Sequence, residues 1–187
     1  MICNASDKKS IDNDLKSIEQ WEKTLLLEFN SEKCKVLHVN FNGNQNLKYL
    51  LNGSVMKESE QEKDLGVLTS GNLLWNDQIN SCISKANQMI CWITRNTISR
   101  EKSLMLRIYK TLIRPHLEYC VQLWNPASEH GNWSLIVKIE GVQRRFTRMI
   151  EGVGLLPYSE KLEVLELSTL IERRSRGDLI EVFKAKQ

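Results

Sequence analysis

Residues 65–93 read LGVLTSGNLLWNDQINSCISKANQMICWI, and the spacing of their apolar residues changes near Trp75. Before that point, the run of neighbouring apolar residues from Leu65 to Leu68 predicts a short strand. After it, apolar residues recur every three or four positions, which is the spacing of one helical face. They are Ile79, Ile83, Ala86, Ile90 and Ile93. The stretch therefore predicts an α+β chain in which strands precede an all-helical part.

Towards the amino terminus, the sequence predicts one helix and a small antiparallel sheet within residues 1–72. Apolar residues keep a helical spacing over Ile11–Leu25, and β-branched and aromatic residues over Cys34–Phe41 predict a strand. The pair Asn52-Gly53 lies between two apolar runs and suits the two positive φ angles of a type I′ hairpin turn. The charged segment Lys57–Asp64 is predicted to be a loop that precedes the next strand.

Towards the carboxyl terminus, residues 73–187 are predicted to form a helical domain. Ser99 is predicted to cap the second helix, which should kink at Pro115 because proline lacks an N–H donor and clashes with the preceding turn. Further helices are predicted over 133–150, over 159–165, and from Thr169, where Thr169 and Glu172 have capping-box spacing.

The sequence favours a protein that neither spans a membrane nor is secreted. Of the 187 residues, 41% are hydrophobic and 26% are charged, and no run is apolar over the roughly 18 residues that a bilayer span needs. The first residues are polar and charged and lack the apolar core of a secretory signal. An intracellular location, in the nucleus or the cytoplasm, is expected.

The cysteines predict neither a disulfide framework nor a metal site. Their number is odd, at five, and none of them forms a CxxC pair. Cys34 with His38, and His116 with Cys120, are each four apart, but neither pair has an evident source of further ligands. We expect reduced thiols and no metal bound by this chain.

Positive charge is concentrated in the middle of the chain. The net charge of the whole chain is +3, and that of residues 1–64, 65–150 and 151–187 is −2, +6 and −1. A basic middle third is typical of a surface that attracts polyanions.

Six segments, in this order along the chain, resemble the reverse transcriptases of non-LTR retrotransposons, particularly the jockey-like elements. They are FNSEKCKVLHV at 29–39, YLLNG at 49–53, EKDLGVL at 62–68, YKTLIRPHLEYCVQLWNP at 109–126, VQRRFTRMI at 142–150 and RRSRGDLIEVFK at 173–184. The resemblance implies that residues 1–72 are the end of a polymerase palm and residues 73–187 a thumb.

The same resemblance implies an RNA-directed DNA polymerase whose three catalytic aspartates hold Mg²⁺. Neither the early aspartate motif nor the Asp-Asp hairpin of the family occurs in this sequence, so the chain by itself is expected to be an inactive fragment that needs the rest of the polymerase. Lys33 matches a palm lysine that assists departure of pyrophosphate, and an exposed lysine at a strand start is the plainer interpretation.

Cations in the predicted thumb are candidates for contacts to the phosphates of an RNA–DNA hybrid or a duplex. Arg100, Arg107 and Arg114 are spaced by seven, with Lys110 nearby, and a second set shares a face of the third helix. That second set is Lys138, Arg145 and Arg148, on one face with Gly141, and Arg144 flanks them. Ordinary solvated faces are the alternative for both sets, and core packing is favoured for the aromatic residues of this part, among them Trp92, Trp124 and Trp133.

Two other functions stay open. The chain is also interpretable as part of a longer, active polymerase whose upstream frame encodes the aspartates. It could equally be a host-recruited module that binds protein through a helical bundle and an exposed sheet edge. Such a module should be indifferent to charge reversal at Arg107, Arg114 and Arg145.

Overall fold

The computed structural model describes residues 5–39, 47–126 and 133–186. Its fold is α+β, as predicted: a part with short sheets is followed by a helical bundle. The chain divides into two compact units, residues 1–74 and 75–187, which are described separately below.

The first unit contains helix α1 (Ala5–Leu25) and short paired strands. The strands are β1 (Lys35–Leu37), β2 (Leu50–Leu51), β3 (Ser54–Val55), β4 (Lys57–Ser59), β5 (Gln61–Asp64) and β6 (Val67–Ser70). They pair as β2 with β3 and β5 with β6, both antiparallel, and as β1 with β4, which is parallel.

The predicted hairpin at Asn52-Gly53 is confirmed and is tied to α1. Asn52 and Gly53 have φ angles of 50° and 74°, as a type I′ turn requires. The Asn52 amide N–H donates to a carboxylate oxygen of Glu19 at 2.6 Å, and its side-chain amide donates to Glu22 at 2.7 Å. Glu22 is buried and also accepts from the backbone N–H of Phe29. Two carboxylates of one helix therefore fix the turn.

Three strand predictions need correction. The charged segment 57–64 is not a loop: it forms β4 and β5, whose exposed residues give no alternating apolar pattern to detect. Leu65 and Gly66 are the turn between β5 and β6, with φ angles of 45° and 88°, so the predicted strand begins later, at Val67. Strand β1 is shorter than predicted, and residues 40–46 lie outside the described part.

The sequence predicted only antiparallel pairing, but β1 and β4 run parallel. Their connection contains the whole β2–β3 hairpin, and a long connection of this kind allows β4 to return in the direction of β1. Lys35 and Glu62 form an ion pair of 2.6 Å beside these strands. Short exposed strands like these depend on backbone pairing and such side-chain contacts rather than on a buried face.

The second unit is built from helices around one apolar core. They are α2 (Asn76–Asn96), α3 (Lys102–Ile108), a π-helical turn (Tyr109–Ile113), α4 (Arg114–Glu118), α5 (Val121–Trp124), α6 (Trp133–Thr147), α7 (Tyr158–Val164) and α8 (Leu170–Lys184). The largest fully buried side chains include Trp124, Tyr109 and Phe146. Tyr109 and Phe146 stack with ring centroids 5.3 Å apart, which joins the π-helical turn to α6.

The predicted break at Pro115 is confirmed and has a defined form. The chain widens into the π-helical turn just before the proline and restarts as α4, with Pro115 in the first turn. A first-turn position suits proline because the N–H that it lacks would have no helical partner there. The wider turn therefore accommodates the missing donor without ending the helix.

Helix starts were predicted less accurately than helix positions. Helix α3 begins at Lys102 with Glu101 at the N-cap position, so Ser99 is not its cap. The Ser99 hydroxyl instead accepts from the Glu101 amide. Helix α6 ends at Thr147, three residues before the predicted end. The capping box of Thr169 and Glu172 at α8 is confirmed in both of its hydrogen bonds.

Core packing was predicted for the aromatic residues and holds for only some of them. Trp124 and Tyr109 are fully buried, whereas Trp92, Trp133 and Tyr119 are more than half exposed. An aromatic residue next to the apolar stripe of a helix can still lie beyond the edge of that stripe, on the exposed surface.

Candidate nucleic-acid interface

Helix α6 displays cations on the side that faces away from the core. The buried side contains Ile139, Val142 and Phe146, as the spacing predicted. The exposed cations are Lys138, Arg144 and Arg145 of the helix and Arg148, which directly follows its last residue. All four predicted residues therefore lie on the surface of the second unit, and together they are called the cationic face of α6 below.

Two of these arginines are oriented by neutral groups. The Arg145 guanidinium donates to the side-chain oxygen of Asn87 on α2 at 3.2 Å. The Arg144 guanidinium lies 4.6 Å from the centre of the Tyr158 ring, a cation–π contact. Because Asn87 and Tyr158 carry no charge, both guanidinium groups are positioned while their charge stays uncompensated. Neither partner was predicted from the sequence.

The second predicted set, around α3 and α4, is not one continuous stripe. Arg107 and Lys110 are exposed, but the π-helical turn changes the direction in which later residues point. Arg114 lies 3.5 Å from the carboxylate of Glu118, one turn further along α4. That carboxylate also accepts from Arg173 of α8 at 2.6 Å. Arg114 is therefore engaged within the fold, although one carboxylate shared by two arginines leaves a net charge of +1 at this site.

Arg100 lies outside the helix on which it was predicted. It precedes α3, and its guanidinium donates to the backbone oxygen of Thr94 at 3.3 Å. Its own carbonyl accepts from the Glu151 amide at 2.9 Å. Arg100 thus bridges the end of α2 and the segment after α6, a structural position.

A buried polar network holds α6 in place beneath its cations. Tyr109 donates to the side-chain oxygen of Gln143, whose amide donates to the Tyr158 hydroxyl at 2.9 Å. Tyr158 in turn donates to Glu140, and the other Glu140 oxygen accepts from the Leu170 amide at 3.0 Å. The network joins the π-helical turn, α7 and the start of α8 to a single helix.

Burial and this network keep both tyrosines neutral. Burial, followed by the nearby charges, raises the pKa of Tyr109 well above its usual range. Burial, and the hydrogen bond to Glu140, raise the pKa of Tyr158 in the same direction. One signal for this network is visible in the sequence, because Glu140 and Gln143 stand beside the apolar stripe of α6.

The arginines of α8 are mostly engaged in the fold. Arg173 pairs with Glu118, and Arg174 is buried with its Nε donating to the Leu170 carbonyl at 3.1 Å. Burial lowers the pKa of Arg174. Asp178 accepts from the Asn125 side chain at 2.8 Å. Arg176 is exposed, which makes it a suitable control position.

Lys33 lies in the first unit, in an exposed turn before β1. Its backbone N–H donates to the Asn30 carbonyl at 3.0 Å. Among the described residues, no group of three or more histidine, cysteine, aspartate or glutamate side chains is arranged to hold a metal ion. The assignment of Lys33 to pyrophosphate departure stays a prediction from the resemblance.

Comparisons of the chain with family models, with curated proteins and with solved structures gave no match. The resemblance to reverse transcriptases therefore rests on the six sequence segments alone. Within the described ranges, none of the helices combines the length and the apolar character needed to cross a bilayer.

Proposed function

We propose that the helical unit binds the phosphate backbone of a nucleic-acid duplex, as the thumb-like part of a retrotransposon reverse transcriptase. The exposed cationic face of α6 carries the proposal, since three cations of the helix and Arg148 directly after it are exposed while the other side of the helix is buried and apolar. The proposal concerns binding and not catalysis. Polymerase activity would require the aspartates that this sequence lacks.

Phosphate contacts fit this face better than base readout. Arginine guanidinium groups donate to phosphate oxygens in pairs, and cations spaced along a helix follow a charged backbone without reading its sequence. The interaction of Arg145 with Asn87 positions one such group without neutralising it. Arg107 and Lys110 add exposed charge on a second segment of the same unit.

Salt dependence tests the proposal directly. Binding of a labelled RNA–DNA hybrid to the full chain, followed by fluorescence anisotropy, should weaken steeply as salt rises. Each phosphate contact contributes about 0.9 to the slope of log affinity against log salt for B-form duplexes, so four contacts predict a slope of roughly 3 to 4. A flat dependence, or no binding at low salt, would refute the proposal.

The matched comparison is between two sets of variants. Replacing Lys138, Arg144, Arg145 and Arg148 by alanine should remove most of the affinity and the slope. Arg176→Ala, which removes an exposed charge of the same unit elsewhere, should change the affinity by less than about twofold. Equal losses from Arg176→Ala and from Arg145→Ala, which each remove one charge, would mean that only net charge matters.

A second candidate function is binding of a protein partner. Helix α8 exposes Leu179, Val182 and Phe183, and large apolar residues grouped on a surface are typical of interaction sites. This candidate predicts a stable protein complex that survives Arg145→Glu and is lost on Phe183→Ser. Pull-down with the two variants, beside the hybrid-binding assay, separates the two functions.

A further inference from the structure

A cavity of about 480 Å³ lies beside the carboxyl end of α6, under the segment that leads to α7. Its wall includes three cations: Arg144 of α6, Arg148 directly after α6, and Lys161 of α7. The remaining wall residues are Gly154, Leu155, Leu156, Pro157 and Tyr158. None of these wall residues is acidic, so the cavity concentrates positive charge against an apolar surround.

Lys161 is the unusual member of this group. Only 5% of its surface is exposed, and its ammonium makes no hydrogen bond or ion pair with the described residues. Its nitrogen is nevertheless not one of the fully enclosed side-chain atoms that lack a partner, so the ammonium keeps contact with water at the cavity. Two guanidinium groups at the same cavity repel it. That repulsion falls when an anion enters.

The cavity is shaped by interactions that do not consume its charges. Tyr158 holds Arg144 by its ring face, at 4.6 Å, while its hydroxyl is engaged by Glu140. Gly154 lets the loop approach α6 closely, since a Cβ there would lie 2.7 Å from the Arg148 carbonyl oxygen. The loop at Gly154 and the ring of Tyr158 thus hold the cations together at the cavity.

We propose that this basic pocket, formed by Arg144, Arg148 and Lys161, binds a single phosphate group. Two guanidinium groups and one ammonium offer several N–H donors to tetrahedral oxygens, which suits phosphate more than a planar carboxylate. The volume leaves room for an attached sugar. The proposed ligand is a backbone phosphodiester of the duplex. This identity rests on the duplex binding proposed above. A free phosphate or a mononucleotide offers the same chemistry.

The experiment is a titration of the full chain with inorganic phosphate, with a nucleoside 5′-monophosphate and with an RNA–DNA hybrid. Backbone amide signals of residues 154–156 and of Tyr158 report on the pocket by NMR, since Pro157 has no N–H. Lys161→Met removes the charge but keeps the aliphatic length that is buried, Lys161→Arg keeps the charge, and Arg176→Ala is the control. Arg148→Gln tests the pocket independently if Lys161→Met does not fold.

Saturable shifts at residues 154–158 with phosphate are expected, and Lys161→Met or Arg148→Gln should weaken them about tenfold, as loss of one charge-assisted contact predicts. Lys161→Arg and Arg176→Ala should bind within about twofold of the original chain. Absence of saturable shifts with all three ligands, or equal weakening by Arg176→Ala, would overturn the pocket.

The hybrid arm separates the two proposals. If phosphate and nucleotide bind but Lys161→Met leaves hybrid affinity unchanged, the pocket stands with a free phosphate or nucleotide as its ligand. If hybrid binding is salt-dependent but residues 154–158 do not respond to any ligand, the cationic face of α6 stands and the pocket is wrong.

Discussion

Two arginine-bearing segments of the helical unit use the same side chain in opposite ways. On α6, Arg144 and Arg145 are oriented by a tyrosine ring and an asparagine, so their charges stay available. On α4, Arg114 faces Glu118, which is also paired with Arg173. Spacing along the sequence made both segments look like binding surfaces. An arginine beside a neutral side chain remains available to a ligand, whereas an arginine paired with a carboxylate contributes to the fold. Spacing along the sequence does not distinguish the two cases.

Substitution of the arginines of the two segments should give the largest difference in affinity for the hybrid. Arg145→Glu combined with Arg148→Glu is expected to weaken hybrid binding about 100-fold at low salt, because two contacts are replaced by repulsion. Arg114→Gln should change the affinity less than about threefold, since Glu118 already holds that guanidinium within the fold. Anisotropy titrations at matched salt measure both. If Arg114→Gln proves as damaging as the α6 pair, the two segments do not differ.

Removing the acid that engages α4 should affect stability and not binding. Glu118→Ala leaves Arg173 and Arg114 without their shared, half-buried partner, and we expect a loss of about 2 kcal/mol in the free energy of unfolding. Urea denaturation measures it. Hybrid affinity should be unchanged or slightly higher, because Arg114 is released. A drop in affinity with unchanged stability would contradict the structural role assigned to Glu118.

Alkaline pH should loosen the network that supports both segments. The pKa of Tyr109 is raised in the folded chain, so its stabilising contribution is complete below the unfolded pKa near 10 and falls as pH rises above it. The unfolding free energy should decline by about 1.4 kcal/mol per pH unit from this group alone. Comparison of Tyr109→Phe with the original chain, between about pH 9 and pH 11, should show a shallower decline in the variant. Parallel declines would exclude Tyr109 as the cause.

The smallest effect is expected at Gly141 in the middle of α6. A Cβ at this position would meet nothing within 4 Å, so no neighbouring helix requires the glycine. Gly141→Ala should stabilise the unit by about 0.5 to 1 kcal/mol through helix propensity. If a duplex backbone approaches the helix there, the same variant should bind the hybrid more weakly. A thermal melt and one anisotropy titration report the two effects.

The sequence predicted those parts of the fold that depend on local chemistry. Asn52-Gly53 specified its turn, Pro115 marked the irregularity in the helix, and Thr169 with Glu172 formed the expected cap, because each acts within a few residues. Strands β4 and β5 were missed because they are exposed and carry no apolar alternation. Apolar periodicity cannot report an element that buries no face.

The candidate interface was predictable in composition but not in detail. The outward position of the α6 cations followed from its apolar stripe. The pair of Arg114 with Glu118, four positions apart, is of a kind that helical spacing can predict. That of Arg173 with Glu118 is not, because their positions differ by 55 along the chain and they meet only in the folded chain. Lys161 drew no attention as a single lysine on a short helix. Its burial and its neighbours at the cavity depend on long-range packing.

The π-helical turn at Tyr109–Ile113 has a consequence for any description of this segment as a helical wheel. One extra residue in a turn shifts the angular phase of all later positions by about 100°, the rotation per residue of an α-helix. Arg107 and Arg114, seven apart and nearly eclipsed on an uninterrupted wheel, are thereby rotated away from each other. Deleting one residue from the turn would restore the common phase of Arg107 and Arg114. Such a deletion would turn Arg114 away from its place in the fold and towards solvent.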